Sequence, residues 1–117
     1  MLIVRQIGEK IRQVAKTMPV VSITGPRQSG KTTLAQQIFP DYQYANLENP
    51  LIRDFAQSNP VQFLNQGNGR GLIIDEAQYV PELFSWIQVH VDETLRNGEI
   101  VLSGSQNFLL ISRFAQI

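Results

Sequence analysis

The run Gly25-Pro26-Arg27-Gln28-Ser29-Gly30-Lys31-Thr32 constrains this chain more than any other. It lies between a short β-branched run, Val20-Val21-Ser22-Ile23-Thr24, and a helical stretch from Lys31 to about Phe39 that Pro40 and Asp41 close. Runs such as Val20–Thr24 are the kind buried in parallel sheets. A strand, a glycine-rich turn and a helix therefore follow one another in that order.

The remaining segments repeat the alternation of strand and helix. Val4, Ile7, Ile11, Val14 and Met18 recur at spacings of three and four with polar residues between them, which predicts an amphipathic helix over residues 2–18, stopped by Pro19. Tyr42–Leu47 reads as a second strand. Asn49-Pro50 and Asn59-Pro60 each look like an N-cap followed by proline at the first helical position, the second helix ending near Gln66. Leu72-Ile73-Ile74 is a third strand ending on Asp75-Glu76. Pro81 opens a helix with Leu83, Phe84, Ile87, Val91 and Leu95 on one face, ended by Asn97-Gly98. Ile100-Val101-Leu102 is a fourth strand, followed by Ser103-Gly104-Ser105. Strands alternating with helices predict an α/β domain with a mainly parallel sheet.

The glycine-rich run has the Walker A pattern in the place that pattern requires, after a strand and before a helix. Glycines let the backbone wrap closely and turn N–H groups toward a phosphate, and the helix start adds its positive dipole end. The Lys31 ammonium would reach the β- and γ-phosphates, and the Thr32 hydroxyl would ligate Mg²⁺. Asp75 and Glu76 end an apolar strand, the Walker B arrangement. Asp75 would then sit beside the Mg²⁺, taking the metal or one of its waters, and Glu76 would act as general base or orient the attacking water. A solvated turn or an N-cap is the plainer reading of Asp75-Glu76. After the fourth strand, Ser103, Ser105, Gln106 and Asn107 form a polar cluster in which Ser105 or Gln106 would position water; an ordinary Ser-Gly turn explains it equally well.

Composition removes several classes. Ten basic and ten acidic residues leave zero net charge, which does not support a nucleic-acid-binding surface and does not oppose self-association or a protein partner. No cysteine is present, which excludes disulfides, zinc ribbons and a thiol nucleophile. No apolar run approaches a membrane span, so no membrane partner and a cytoplasmic location are expected.

Other residues have plain readings. Arg27 would touch phosphate or a neighbouring subunit, or be a solvated loop arginine. Arg113 fits an arginine finger less well than an exposed helix arginine. His90 reads as a surface histidine off the apolar face of its helix. Trp86 and Tyr79 read as packing or interface residues. Glu48 ends the second strand near the expected nucleotide end of the sheet, and a helix-start carboxylate explains it equally well.

Taken together, Ile23-Thr24-Gly25-Pro26-Arg27-Gln28-Ser29-Gly30-Lys31-Thr32-Thr33, Asn46-Leu47-Glu48-Asn49-Pro50, Leu72-Ile73-Ile74-Asp75-Glu76-Ala77-Gln78 and Leu102-Ser103-Gly104-Ser105 resemble the N-terminal ATPase portion of prokaryotic predicted ATPases of the AAA superfamily. The resemblance implies a P-loop NTPase fold, three-layer α/β/α with sheet order β1-β4-β3-β2 (the four strands numbered as they occur above). The fifth strand and the family's C-terminal domain are expected to be missing, so that residues 1–117 form an incomplete AAA-type domain whose first strand has an open flank. It also implies ATP and Mg²⁺ as cofactors, with Gly25 to Thr33 holding nucleotide, Thr32 and Asp75 the metal, and Glu76, Lys31 and Ser105 the catalysis. ATP hydrolysis in the full-length protein is the expected activity. The alternatives are a nucleotide-dependent interaction module that binds ATP without significant hydrolysis and, behind it, a GTPase.

Overall fold

Residues 2–24, 30–104 and 114–116 are described in the computed structural model of the chain. The β-branched and apolar runs form strands, and the first three are each followed by a helix whose apolar residues return it to the sheet. The elements are α1 (Leu2–Ala15), β1 (Val20–Thr24), α2 (Lys31–Ile38), β2 (Gln43–Asn46), α3 (Pro50–Ser58), α4 (Pro60–Leu64), β3 (Leu72–Asp75), α5 (Leu83–Thr94), β4 (Ile100–Gly104) and β5 (Phe114–Gln116). Short 3₁₀ turns occupy Asn65–Gly67 and Ala77–Tyr79.

All strand pairs are parallel, in the order β2-β3-β4-β1-β5. The order of the first four strands is the expected one. The expectation of a missing fifth strand is corrected: β5 pairs with Val20–Ser22 on the flank of β1 that was expected to be open. Three residues, Phe-Ala-Gln, carry no usable periodicity, so only their pairing makes them a strand.

Successive strand residues face opposite sides, which builds two cores. Val21, Ile23, Ile73 and Val101 pack with Ile11 and Ala15 of α1 and with Ala35, Ile38 and Phe39 of the α2 region. Val20, Ala45, Leu72, Ile74, Ile100 and Leu102 pack on the other side with Ala56, Phe63, Leu64, Leu83, Ile87 and Val91 from α3, α4 and α5. Each fully buried aliphatic or aromatic side chain contributes about 1.5–3 kcal/mol. The result is the expected three-layer α/β/α arrangement.

Several element ends differ from expectation. α1 stops at Ala15, because the N–H groups of Thr17 and Met18 both turn back to the Val14 carbonyl, at 3.0 and 2.9 Å. Asn49 caps α3, its side chain accepting from the Leu51 N–H at 2.9 Å. Asn59 does not cap α4 with its side chain; its backbone closes α3 by donating to the Phe55 carbonyl at 2.8 Å. α5 begins at Leu83 and ends on Leu95, which adopts φ 56°, rather than on Asn97-Gly98. His90 is not a surface residue: it is 8% exposed and its Nε2 lies 3.2 Å from Oε1 of Glu99, itself 5% exposed. The partner carboxylate lies beyond the helix, just before β4, so the helical pattern around His90 gave no sign of it.

Candidate functional site

In a parallel sheet the C-terminal ends of the strands share one edge. Here that edge carries Thr24, Asn46, Asp75 and Gly104. α2 starts beside it on Gly30, whose φ of 85° suits glycine although a Cβ there would meet nothing within 4 Å. The conformation, not crowding, requires glycine at this position. The N-cap residue of α2, Gly30, has no side chain to offer the first N–H groups of the helix.

Asp75 is the centre of the arrangement. It is the last residue of β3 and 5% exposed. Thr32 Oγ1 donates to its Oδ2 at 2.8 Å, Tyr44 Oη to the same Oδ2 at 2.7 Å, and Ser103 Oγ to Oδ1 at 2.7 Å. These hydroxyls come from α2, β2 and β4. Hydrogen bonds to a charged group are each worth about 1.5–3 kcal/mol, which is how a carboxylate is tolerated in this setting. Register explains the meeting: Asp75 is opposite Ser103 on β4 and Asn46 on β2, so Tyr44, two residues before Asn46, shares its face and reaches along the sheet. Burial, then the hydrogen bond to Asp75, then the charges of Asp75, Glu76 and Glu48 push the Tyr44 phenol above its usual range. It remains a donor throughout the physiological range.

Glu76 turns away from the strand in the left-handed region, at φ 56° and ψ 47°, and is 7% exposed. That region is uncommon for a residue other than glycine, asparagine or aspartate, and such residues gather at functional sites. Gln78 Nε2 donates to Glu76 Oε2 at 2.6 Å. The neighbouring loop is braced as well. Arg53 donates to the carbonyls of Leu47 and Glu48 at 2.9 and 3.1 Å, and its guanidinium lies 4.4 Å from the centre of the Tyr79 ring.

Of the residues singled out from sequence, Thr32, Asp75 and Glu76 come together at this edge. Thr33 follows on α2 and is exposed. Lys31 opens α2, and its side chain lies outside what is described. Gly25, Pro26, Arg27, Gln28, Ser29, Ser105, Gln106, Asn107 and Arg113 also lie outside the described residues. Tyr44 and Gln78 were missed, and Ser103 was placed in the polar cluster without a role. The signal for Tyr44 is its parity with Asp75, which becomes legible once β2 is paired with β3.

A threonine hydroxyl and an aspartate carboxylate are hard oxygen donors and fit Mg²⁺, which is usually held by one or two carboxylates together with substrate phosphates. Among the described residues no group of three or more His, Cys, Asp or Glu forms an all-protein metal cage. A family model described as an AAA domain matches residues 17–117. The chain belongs to the AAA family. It is thus a nucleotide-binding domain of ATPase type, in a family that generally uses Mg²⁺ and often oligomerises.

Uncharacterized proteins of Mycobacterium bovis and Mycobacterium tuberculosis are each 35% identical to this AAA domain over 104 residues, covering 86% of the chain. The chain spans 23% of the length of those relatives. A crystal structure of a DNA replication initiation factor superposes with a TM-score of 0.59 at 15% identity, over 96% of this chain and 44% of the other. PCH-2 of C. elegans superposes with a TM-score of 0.53 at 14% identity, over 95% of this chain and 37% of the other. At such identities the two structures speak for the fold. No described helix is long and apolar enough to cross a membrane.

Proposed function

We propose that this AAA domain binds Mg-ATP and, in the full-length protein, hydrolyses its terminal phosphate. The observation that carries the reading is the Thr32–Asp75 hydrogen bond beside the start of α2 on Gly30. The loop Gly25-Pro26-Arg27-Gln28-Ser29-Gly30, with Lys31, Thr32 and Thr33, wraps the phosphates, and the Lys31 ammonium neutralises the β- and γ-oxygens. Thr32 and Asp75 hold Mg²⁺, which when bound supplies further positive charge against those oxygens.

Glu76 orients a water and takes its proton. The water oxygen bonds to the γ-phosphorus as the bond to the bridging oxygen breaks, leaving ADP and phosphate. Gln78 holds the Glu76 carboxylate at the edge, and Ser105 helps to place the water. Residues 1–117 belong to this domain, α1 included, and the protein is cytoplasmic and works with further copies of itself or a protein partner.

The test is nucleotide binding and phosphate release by the full-length protein and two variants. Lys31→Ala is expected to lose both. Glu76→Gln is expected to bind ATP and release no phosphate. Unchanged turnover in Glu76→Gln would overturn the role of Glu76. A wild-type protein that binds ATP without turnover would instead support a nucleotide-dependent interaction module.

A further inference from the structure

We infer that Tyr44 is a positioning residue for Mg²⁺, acting through Asp75. The inference rests on the proposed role of Thr32 and Asp75 as the metal-holding pair. Tyr44 and Thr32 converge on one atom: both donate to Oδ2 of Asp75, at 2.7 and 2.8 Å. A carboxylate oxygen has two good acceptor directions, and on Oδ2 these hydroxyls take both. Ser103 holds the other oxygen from the opposite strand. The carboxylate is therefore pinned at both ends and cannot turn about its own axis without breaking a hydrogen bond.

The pinning has a consequence for Thr32. A hydroxyl has one proton and two lone pairs. With its proton committed to Asp75, the Thr32 oxygen presents its lone pairs away from the carboxylate, in the orientation a cation needs. Tyr44 keeps Asp75 fixed as the acceptor that sets this orientation.

Tyr42 is the internal comparison. It lies two residues earlier and is also partly buried, but its hydroxyl donates to the Gly98 carbonyl at 2.6 Å, at the other end of the sheet. That bond ties the Tyr42 side chain to the backbone just before β4 and touches no part of the candidate site. Two tyrosines of the same strand region therefore carry separable roles, one structural and one directed at the metal-holding pair.

Outer-shell partners of metal ligands typically contribute 10–100-fold to metal affinity. The experiment measures ADP binding by the full-length protein calorimetrically, in EDTA and across a Mg²⁺ titration, for wild type, Tyr44→Phe and Tyr42→Phe. Manganese resonance spectra in the presence of ADP provide a readout independent of turnover. For Tyr44→Phe, ADP affinity in EDTA is expected to match wild type, while the Mg²⁺ needed for tighter binding rises about tenfold or more. Tyr42→Phe is expected to lower the melting temperature and leave the Mg²⁺ requirement unchanged. An unchanged Mg²⁺ requirement in Tyr44→Phe overturns the inference. So does a parallel loss of ADP affinity with and without Mg²⁺, which marks a merely structural role. If wild type shows no Mg²⁺-dependent binding of ADP, the proposed function itself fails and this inference falls with it.

Discussion

Three hydroxyls donate to one carboxylate, so Asp75 is defined by what it accepts as much as by its charge. Its neighbourhood also predicts an alkaline limit to stability. Tyr44 is raised by burial and then by Asp75, and Tyr42 by burial and then by the charge of Glu99, each from an ordinary value of 10.0. A raised folded-state pKa means that, above pH 10, the unfolded chain loses these protons before the folded one does. Stability from these groups is therefore complete below pH 10 and declines as pH rises through their folded values. Urea melts at about pH 8 and above about pH 10 should show this decline, and the Tyr42→Phe, Tyr44→Phe double variant should show a shallower one. A slope that is the same in both proteins would contradict the assignment.

Among the elements, α5 shows where local signals mislead. Gly98 follows Asn97, a pair that reads as a helix stop, yet Leu95 makes the left-handed turn while 82% exposed. Gly98 serves a different need: at φ 69° it lies against α1, and a Cβ there would come within 2.9 Å of the Ala15 carbonyl oxygen. Leu95→Gly should raise stability by about 1 kcal/mol, since it removes left-handed strain and little buried surface. Chemical denaturation would check this, and a loss of stability would show that Leu95 packs in some way that matters. The strands beginning at Val20, Leu72 and Ile100 and the turn at Gly30 were legible because their signals are local. Two of the three hydroxyl partners of Asp75 were not, because Tyr44 is 31 residues away and Ser103 28, so their meeting depends on strand register. His90 was misread for a related reason, its partner Glu99 lying outside the helix that carries it.

Across the whole molecule, the two ends of the sheet are built differently. The end opposite the candidate site is tied together by backbone. Gly98 N–H donates to the Met18 carbonyl at 2.8 Å, Leu72 N–H to Glu99 at 2.9 Å and Gln43 N–H to Gly71 at 3.0 Å. Asn97 adds its amide to the Lys16 carbonyl at 2.9 Å, and Tyr42 its hydroxyl to Gly98. Hydrogen exchange followed by mass spectrometry should find the amides of Leu72 and Gly98 among the slowly exchanging ones. Addition of Mg-ADP should slow exchange in residues 75–79 and leave those two amides unchanged; slowing at Gly98 instead would contradict the placement of the nucleotide edge. The candidate-site rim is instead gathered by one side chain, so that α2, β2 and β4 all latch onto the Asp75 carboxylate and its loss would unlatch three elements at once.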